Sequence, residues 1–120
     1  MDADELKQRT KKIGLRVIRL VESLPRTPTA NVIGNQLLRS GTSVGANYRA
    51  ACRGRSPAEF SAKIGIVIEE ADESLYWMEM LTDAKIVPAS TLEDLMQEAN
   101  EIIAIMIASI KTVRSNRNKD

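Results

Sequence analysis

Two acidic runs contain the side chains of this sequence that could support metal chemistry. Glu69, Glu70 and Glu73 form a Glu-Glu-x-x-Glu pattern, and Glu98 and Glu101 follow later in the chain. Carboxylates from two helices can hold Mg²⁺, because this ion prefers hard oxygen ligands and bridges to the phosphates of a substrate. The pattern therefore permits metal-dependent phosphate chemistry. The simpler interpretation is that these carboxylates are solvated or ion-paired.

Basic residues are concentrated in the first half of the chain and acidic residues in the second. Residues 7–55 include eleven Lys and Arg residues and one acidic residue, whereas residues 56–110 include eleven acidic residues and two lysines. Either the two halves neutralise each other within a bundle or between subunits, or a basic face survives folding and binds nucleic-acid phosphates. Tyr48 is the only aromatic residue near these cations, so no base-reading device is evident. The candidate phosphate contacts are Arg9, Lys11, Lys12, Arg16, Arg19, Arg49, Arg53 and Arg55.

Composition excludes several other kinds of site. The 120 residues include no histidine and one cysteine, Cys52, so His-based triads, most zinc sites and an internal disulfide are ruled out. We expect no cofactor and, apart from the carboxylate alternative, no bound metal. The polar start and the short apolar runs fit neither a signal peptide nor a membrane span, and the expected location is the cytoplasm.

Four segments of helical period must position these residues. The first stops at Pro25, and Thr27-Pro28, Ser56-Pro57 and Ser90 provide the start signals of the other three. Long helices joined by short loops pack as antiparallel neighbours. The predicted fold is all-α: an antiparallel up-down-up-down four-helix bundle forming a single domain over residues 4–114, with a polar tail over residues 115–120. The expected core stripes are Leu6, Ile13, Val17, Leu20, Val21 and Leu24; Ile33, Leu37, Ser40, Val44, Asn47 and Ala51; Phe60, Ile64, Val67, Ala71, Ser74, Met78 and Leu81; and Leu92, Leu95, Ala99, Ile102, Met106 and Val113.

The second segment departs from a plain bundle helix. Gly34, Gly41 and Gly45 weaken a helix interior, and such small residues favour the close approach of another backbone. Polar residues also lie on or beside its core stripe and need partners if buried. Folding the second helix back on the third places Arg39 level with Glu69 and Glu70, which predicts an inter-helix ion pair that fixes register. The polar residues given this structural role are Arg39, Ser40, Ser43, Asn47, Glu69, Glu70 and Glu73.

The fourth segment carries a second apolar stripe beside its core stripe. Met96, Ile103, Ile107 and Ile110 repeat at helical spacing. An extra apolar face turned to water marks an interface, so we expect a homo-oligomer. The alternative is a wide stripe that faces the core.

Three stretches of the sequence resemble a known family. Residues 36–49 (QLLRSGTSVGANYR), 53–60 (RGRSPAEF) and 68–81 (IEEADESLYWMEML) are similar to the bacterial four-helix-bundle family that includes proteins encoded in intervening sequences of 23S ribosomal RNA genes. The resemblance covers about residues 10–114. It implies an antiparallel four-helix bundle, a ring-like pentamer and no catalytic residues. A related protein, the accessory variability determinant of diversity-generating retroelements, acts with a reverse transcriptase and nucleic acid through a basic surface.

The acidic runs also resemble the motifs of all-α nucleoside triphosphate pyrophosphohydrolases. Folding the third and fourth helices together places Glu73 level with Glu101. The second motif of those enzymes usually ends in Asp where Glu101 stands, and Arg39 could neutralise the same cluster. A Mg²⁺-dependent pyrophosphohydrolase that uses Glu69, Glu70, Glu73, Glu98 and Glu101 is therefore the alternative function.

The sequence favours a non-enzymatic module for binding or assembly. Its expected partners are other copies of the chain, in a pentamer as the resemblance implies, and RNA, DNA or a nucleic-acid-handling protein. No membrane partner is expected.

Overall fold

Four antiparallel helices run up, down, up and down, which confirms the predicted fold class. The computed structural model describes the backbone of residues 1–119 and the side chains of residues 1–116. The helices are α1 (Ala3–Glu22), α2 (Pro28–Cys52), α3 (Pro57–Asp83) and α4 (Ala89–Lys119).

Three of the helices begin at side-chain caps. The Asp2 carboxylate accepts a hydrogen bond from the backbone N–H of Glu5 at the start of α1. The Thr27 and Ser56 hydroxyls accept equivalent bonds at the starts of α2 and α3. Glu59 completes the α3 cap by accepting the N–H of Arg55 at 2.6 Å, one residue before the usual position in a capping box. The start signals of α2 and α3 are therefore confirmed.

Both ends of α4 differ from the sequence-based prediction. The helix begins at Ala89, directly after Pro88, so Ser90 lies inside the first turn instead of capping it. It continues past Arg114 to Lys119, so residues 115–119 extend the helix instead of forming an irregular tail. Ser115 and Asn116 are polar and exposed, so this last part is a solvated helical extension.

Each helix packs mainly on its neighbours in the chain. Helix α2 packs against α1 and α3, and α3 packs against α4. Helices α1 and α4 close the bundle through a looser seam, while α1 and α3 do not pack against each other in the described residues. Helices α1 and α3 therefore occupy diagonal corners of a bundle that measures 54 × 21 × 20 Å.

The core consists mainly of the predicted stripes, and it also includes Tyr48, Leu75 and Val87, which lie outside them. Ile13, Leu37, Ile64 and Ile102 are fully buried, one from each helix, and they pack with the other apolar side chains of the stripes. Asn47, Phe60 and Val113 are only half-buried. Since one continuous cluster joins all four helices, burial of apolar surface holds the bundle together.

Glycines bring α1 and α2 unusually close. A Cβ atom on Gly45 would lie 3.1 Å from the backbone nitrogen of Lys11, and one on Gly41 would lie 2.7 Å from a methyl carbon of Val17. On Gly34 it would lie 3.1 Å from Leu24. The expectation that small residues of α2 admit another backbone is confirmed, and that backbone is α1.

The second apolar stripe of α4 is mostly part of the core. Met96, Ile103 and Ile110 are half-buried and pack against the core cluster, whereas Ile107 is 41% exposed. The expectation that this stripe faces water holds for Ile107 alone, so the alternative of a wide core-facing stripe describes the helix better.

A search of the described residues for a membrane-crossing segment finds no helix with the necessary length and apolar character.

Candidate nucleic-acid interface

Helix α1 carries a row of cations on the side opposite its buried stripe. Lys11, Lys12 and Arg19 are exposed and Arg16 is half-buried. Within the described part of the chain, no carboxylate oxygen lies within 4 Å of their charged nitrogens. Four charges on one helix surface, with no direct ion pair among the described residues, are available to an anionic ligand.

Arg9 does not belong to this row, which corrects its assignment as a phosphate contact. Its guanidinium donates from Nε to Glu98 at 2.9 Å and from Nη2 to the other Glu98 oxygen, and Glu101 lies 4.0 Å away. The hydrogen bond from Arg9 is the main cause that lowers the pKa of Glu98, and the same bond raises the pKa of Arg9. This two-pronged pair joins α1 to α4 across the loosest seam of the bundle.

Arg49, Arg53 and Arg55 lie near the carboxyl end of α2 and are exposed. Arg53 caps α2 and Arg55 begins the turn into α3. Tyr48 is buried, so its ring is unavailable for stacking on a base. Burial also raises the pKa of its phenol. The surface therefore offers charges for phosphates and no aromatic platform.

A surface groove between α1 and α2 was not predicted from the sequence. Its volume is about 380 Å³, and its lining includes the cations Lys7, Lys11 and Arg49. Leu15 and Ile18 contribute apolar surface, and Gly14, Gly45 and Ala46 also line the groove. The signal was present in Leu15, an apolar residue placed among the cations of α1.

Arg39 forms the predicted inter-helix pair, although with a different set of carboxylates. It donates to Glu70 at 3.3 Å and also to Glu73, whereas Glu69 is exposed and outside the pair. Glu73 in turn accepts the indole N–H of Trp77 at 3.0 Å. The Arg39 side chain is 50% exposed, so this is a surface bridge, not a buried one.

The polar residues of the α2 stripe are satisfied in two ways. Ser40 and Ser74 are fully buried, and their hydroxyl oxygens lie 2.9 Å apart across the α2–α3 interface. Ser43 and Asn47 bond within their own helix, to the carbonyls of Arg39 and Ser43 respectively. Only the serine pair links two helices, so it is the buried polar contact that helps to fix their register.

The carboxylates required by the hydrolase alternative do not converge. Glu70 and Glu73 turn towards α2 and bind Arg39, whereas Glu98 and Glu101 turn towards α1, where Arg9 lies. Among the described residues, no group of three or more His, Cys, Asp or Glu side chains is placed to hold a metal ion. The two acidic runs therefore face different neighbours. In the described residues, Glu69, Glu70, Glu73, Glu98 and Glu101 do not form one joint cluster.

The outer face of α3 is acidic and carries exposed apolar side chains. Tyr76 is 51% exposed, and the edge of its ring meets Trp77 with ring centroids 5.0 Å apart. Asp72 and Glu79, its neighbours one helical turn away on either side, are exposed. This surface lies at the corner diagonal to the cations of α1.

In the described residues, the molecule is an all-α four-helix bundle with an open basic surface on α1 and an acidic surface at the opposite corner, on α3. The chain belongs to the family described as 23S rRNA-intervening sequence protein, which it matches over residues 4–108. It is also similar to the crystal structure of a protein of unknown function from the S23 ribosomal protein family of Bacteroides thetaiotaomicron VPI-5482, with a TM-score of 0.86 and 32% identity. That similarity covers 92% of this chain and 99% of the other. No curated protein matches the chain.

Proposed function

We propose that this protein is a non-enzymatic, self-associating module of the cytoplasm that binds the phosphate backbone of RNA or DNA. A nucleic-acid-handling protein with a comparable anionic surface is the other partner that this face would accept. The observation that carries the proposal is the row formed by Lys11, Lys12, Arg16 and Arg19, which has no carboxylate partner in the described residues.

The row suits a backbone ligand better than a base-specific one. Long flexible cations contact phosphates without reading sequence, and each neutralised phosphate releases condensed counterions. Arg53 and Arg55 extend the positive surface beyond the end of α2. Affinity should therefore depend strongly on salt and weakly on nucleotide sequence.

The test compares two double variants in a salt-titrated binding assay with a labelled RNA hairpin and a labelled DNA duplex. Lys12→Gln with Arg19→Gln removes two exposed cations of α1, and Lys63→Gln with Lys85→Gln removes two exposed cations elsewhere. The first variant should reduce the slope of log affinity against log salt by about 1.4 to 1.8, since each phosphate contact contributes roughly 0.7 to 0.9. The second should leave the slope unchanged.

Two results would contradict this proposal. Absence of binding to both probes at low salt would remove nucleic acid as the ligand, and a protein partner would then be the remaining candidate. An equal loss of slope in both variants would mean that overall charge, and not the α1 row, attracts the probe.

Self-association is the second part of the proposal, with a ring of five copies as the expected form. The separation of charge between opposite corners supports it, because copies can then meet through unlike surfaces. Size-exclusion chromatography with light scattering should give an oligomer at micromolar concentration in moderate salt. A monomer under those conditions would overturn this part and leave the nucleic-acid proposal intact.

A further inference from the structure

Two exposed apolar side chains of this bundle lie among charged residues, one among cations and the other among carboxylates. Leu15 on α1 is 47% exposed, and Tyr76 on α3 is 51% exposed. On the helix surface Leu15 is bordered by Lys11 and Arg19, one turn away on either side. A single exposed apolar residue is ordinary. Here one such residue lies among cations and another among carboxylates, so the two surfaces are complementary in charge.

The surface around Leu15 is concave. It belongs to the groove between α1 and α2, which Leu15 and Ile18 line together with small residues. Lys7, Lys11 and Arg49 add positive charge to the lining. We call this surface the basic groove. A helix with an apolar stripe and acidic edges has the complementary shape and charge.

The outer face of α3 has those properties. Tyr76 and Met80, which is 37% exposed, are the apolar stripe. Glu69, Asp72 and Glu79 border it, all exposed and none within 4 Å of a cation in the described part of the chain. We call this surface the acidic ridge. The acidic ridge is the outer surface of a helix, which is convex and can therefore fit into a groove.

The basic groove and the acidic ridge cannot meet within one molecule. Helices α1 and α3 occupy diagonal corners, so the outward surfaces of the two helices face away from each other. A two-fold dimer through either surface would set like charges together, which is unfavourable. A head-to-tail contact sets unlike charges together and leaves one groove and one ridge free on each pair of molecules.

We propose that the acidic ridge of one copy docks in the basic groove of a second copy. This inference names the contact surfaces of the proposed self-association and rests on it, but it does not depend on nucleic acid. Lys12 and Arg16 do not line the groove, and both lie near enough to Glu98 of α4 to lower the pKa of its carboxyl. They stay open when the groove is filled, so the same helix can contact a copy and a phosphate backbone.

Charge exchange between the two surfaces tests the contact. The groove variant is Lys11→Glu with Arg49→Glu, the ridge variant is Asp72→Lys with Glu79→Lys, and the exchanged variant carries all four changes. All four positions are exposed, so folding should be retained and is checked by circular dichroism. The control, Lys12→Gln with Arg16→Gln, lowers the positive charge of α1 at two positions that do not line the groove.

Light scattering and sedimentation at one protein concentration give the readout. Each reversal variant alone should associate at least about tenfold more weakly than the natural chain, because like charges then face each other. An equimolar mixture of the two, or the exchanged variant alone, should recover the oligomer. The control should stay oligomeric while its nucleic-acid affinity falls.

The outcomes distinguish the groove-and-ridge contact from self-association itself, on which it rests. A natural chain that is monomeric overturns self-association itself. An oligomer that survives both reversals, or loss without recovery in the mixture and in the exchanged variant, overturns the groove-and-ridge contact only.

Discussion

Replacing Gly41 by alanine tests whether the close approach of α1 and α2 is a packing constraint. Alanine in a helix interior is favoured over glycine by about 1 kcal/mol, so propensity alone predicts stabilisation. A Cβ at this position would lie 2.7 and 2.9 Å from the two methyl carbons of Val17 and 3.0 Å from its Cβ. Val17 is fully buried and its branch point is itself in contact, so no rotamer removes the overlap.

The steric term should exceed the propensity term. Overpacking of a core typically costs about 1 to 3 kcal/mol, and contact with three atoms of a rigid side chain favours the upper part of that range. Gly41→Ala should therefore destabilise the protein by about 1 to 2 kcal/mol. Gly65→Ala is the matched control, since no atom lies within 4 Å of a Cβ placed there, and it should stabilise α3 by about 0.5 to 1 kcal/mol.

Thermal and denaturant unfolding at one protein concentration measure both effects. With roughly 3 to 5 °C per kcal/mol in a chain of this size, the two variants should differ in Tm by roughly 5 to 15 °C. In a Val17→Ala background the same glycine substitution should become neutral or stabilising, because its obstacle is gone. Equal stabilisation by both alanines in the natural background would refute the reasoning.

Two ion pairs give further predictions. Arg39→Ala should cost only about 1 kcal/mol in denaturant unfolding, because its side chain is half exposed, and a loss above about 3 kcal/mol would show that the bridge behaves as a buried one. Glu98→Gln should destabilise the protein by about 1 kcal/mol near neutral pH. Because pairing with Arg9 lowers the pKa of Glu98 in the folded state, this stabilisation is present above the ordinary glutamate pKa and is lost as the pH falls through the folded value. The difference from the natural chain should therefore shrink as the pH falls below the ordinary glutamate pKa, and a difference that stays unchanged in acid would contradict the assignment to this pair.

The fold could be predicted because its determinants are local. The period of apolar residues, the caps at Thr27 and Ser56 and the short loops each act within a few residues, and they leave an antiparallel bundle as the consistent arrangement. The approach of α1 to α2 was also readable, since three helical glycines need a compensating contact. The α4 start was misread because Pro88 precedes the serine that looked like a cap.

The side-chain pairs were harder to predict, because the position of a residue along the bundle axis does not determine which neighbouring helix its side chain faces. Counting from the α2–α3 turn placed Arg39 level with Glu69 and Glu70, and the pair with Glu70 is confirmed. Successive residues point about 100° apart, so Glu73 turns towards α2 as Glu70 does, whereas Glu69 does not. Glu73 and Glu101 likewise face different helices, since Glu73 turns towards α2 and Glu101 turns towards α1. Arg9 and Glu98 meet across α1 and α4, the two helices furthest apart in the chain, whose relative register depends on three successive turns.

The geometry of the bundle also determines how much of the chain's charge separation survives folding. Neighbouring corners can exchange charge, so Arg9 and Arg39 each meet carboxylates from the acidic half of the sequence. Diagonal corners cannot, and the exposed acids of α3 are out of reach of Lys11, Lys12 and Arg19 on α1. A sequence that places its cations on the first helix and its acids on the third therefore keeps two oppositely charged faces, although its net charge is only +1. Any partner that neutralises the α1 face must come from outside the molecule, whether it is a phosphate backbone or another copy of the chain.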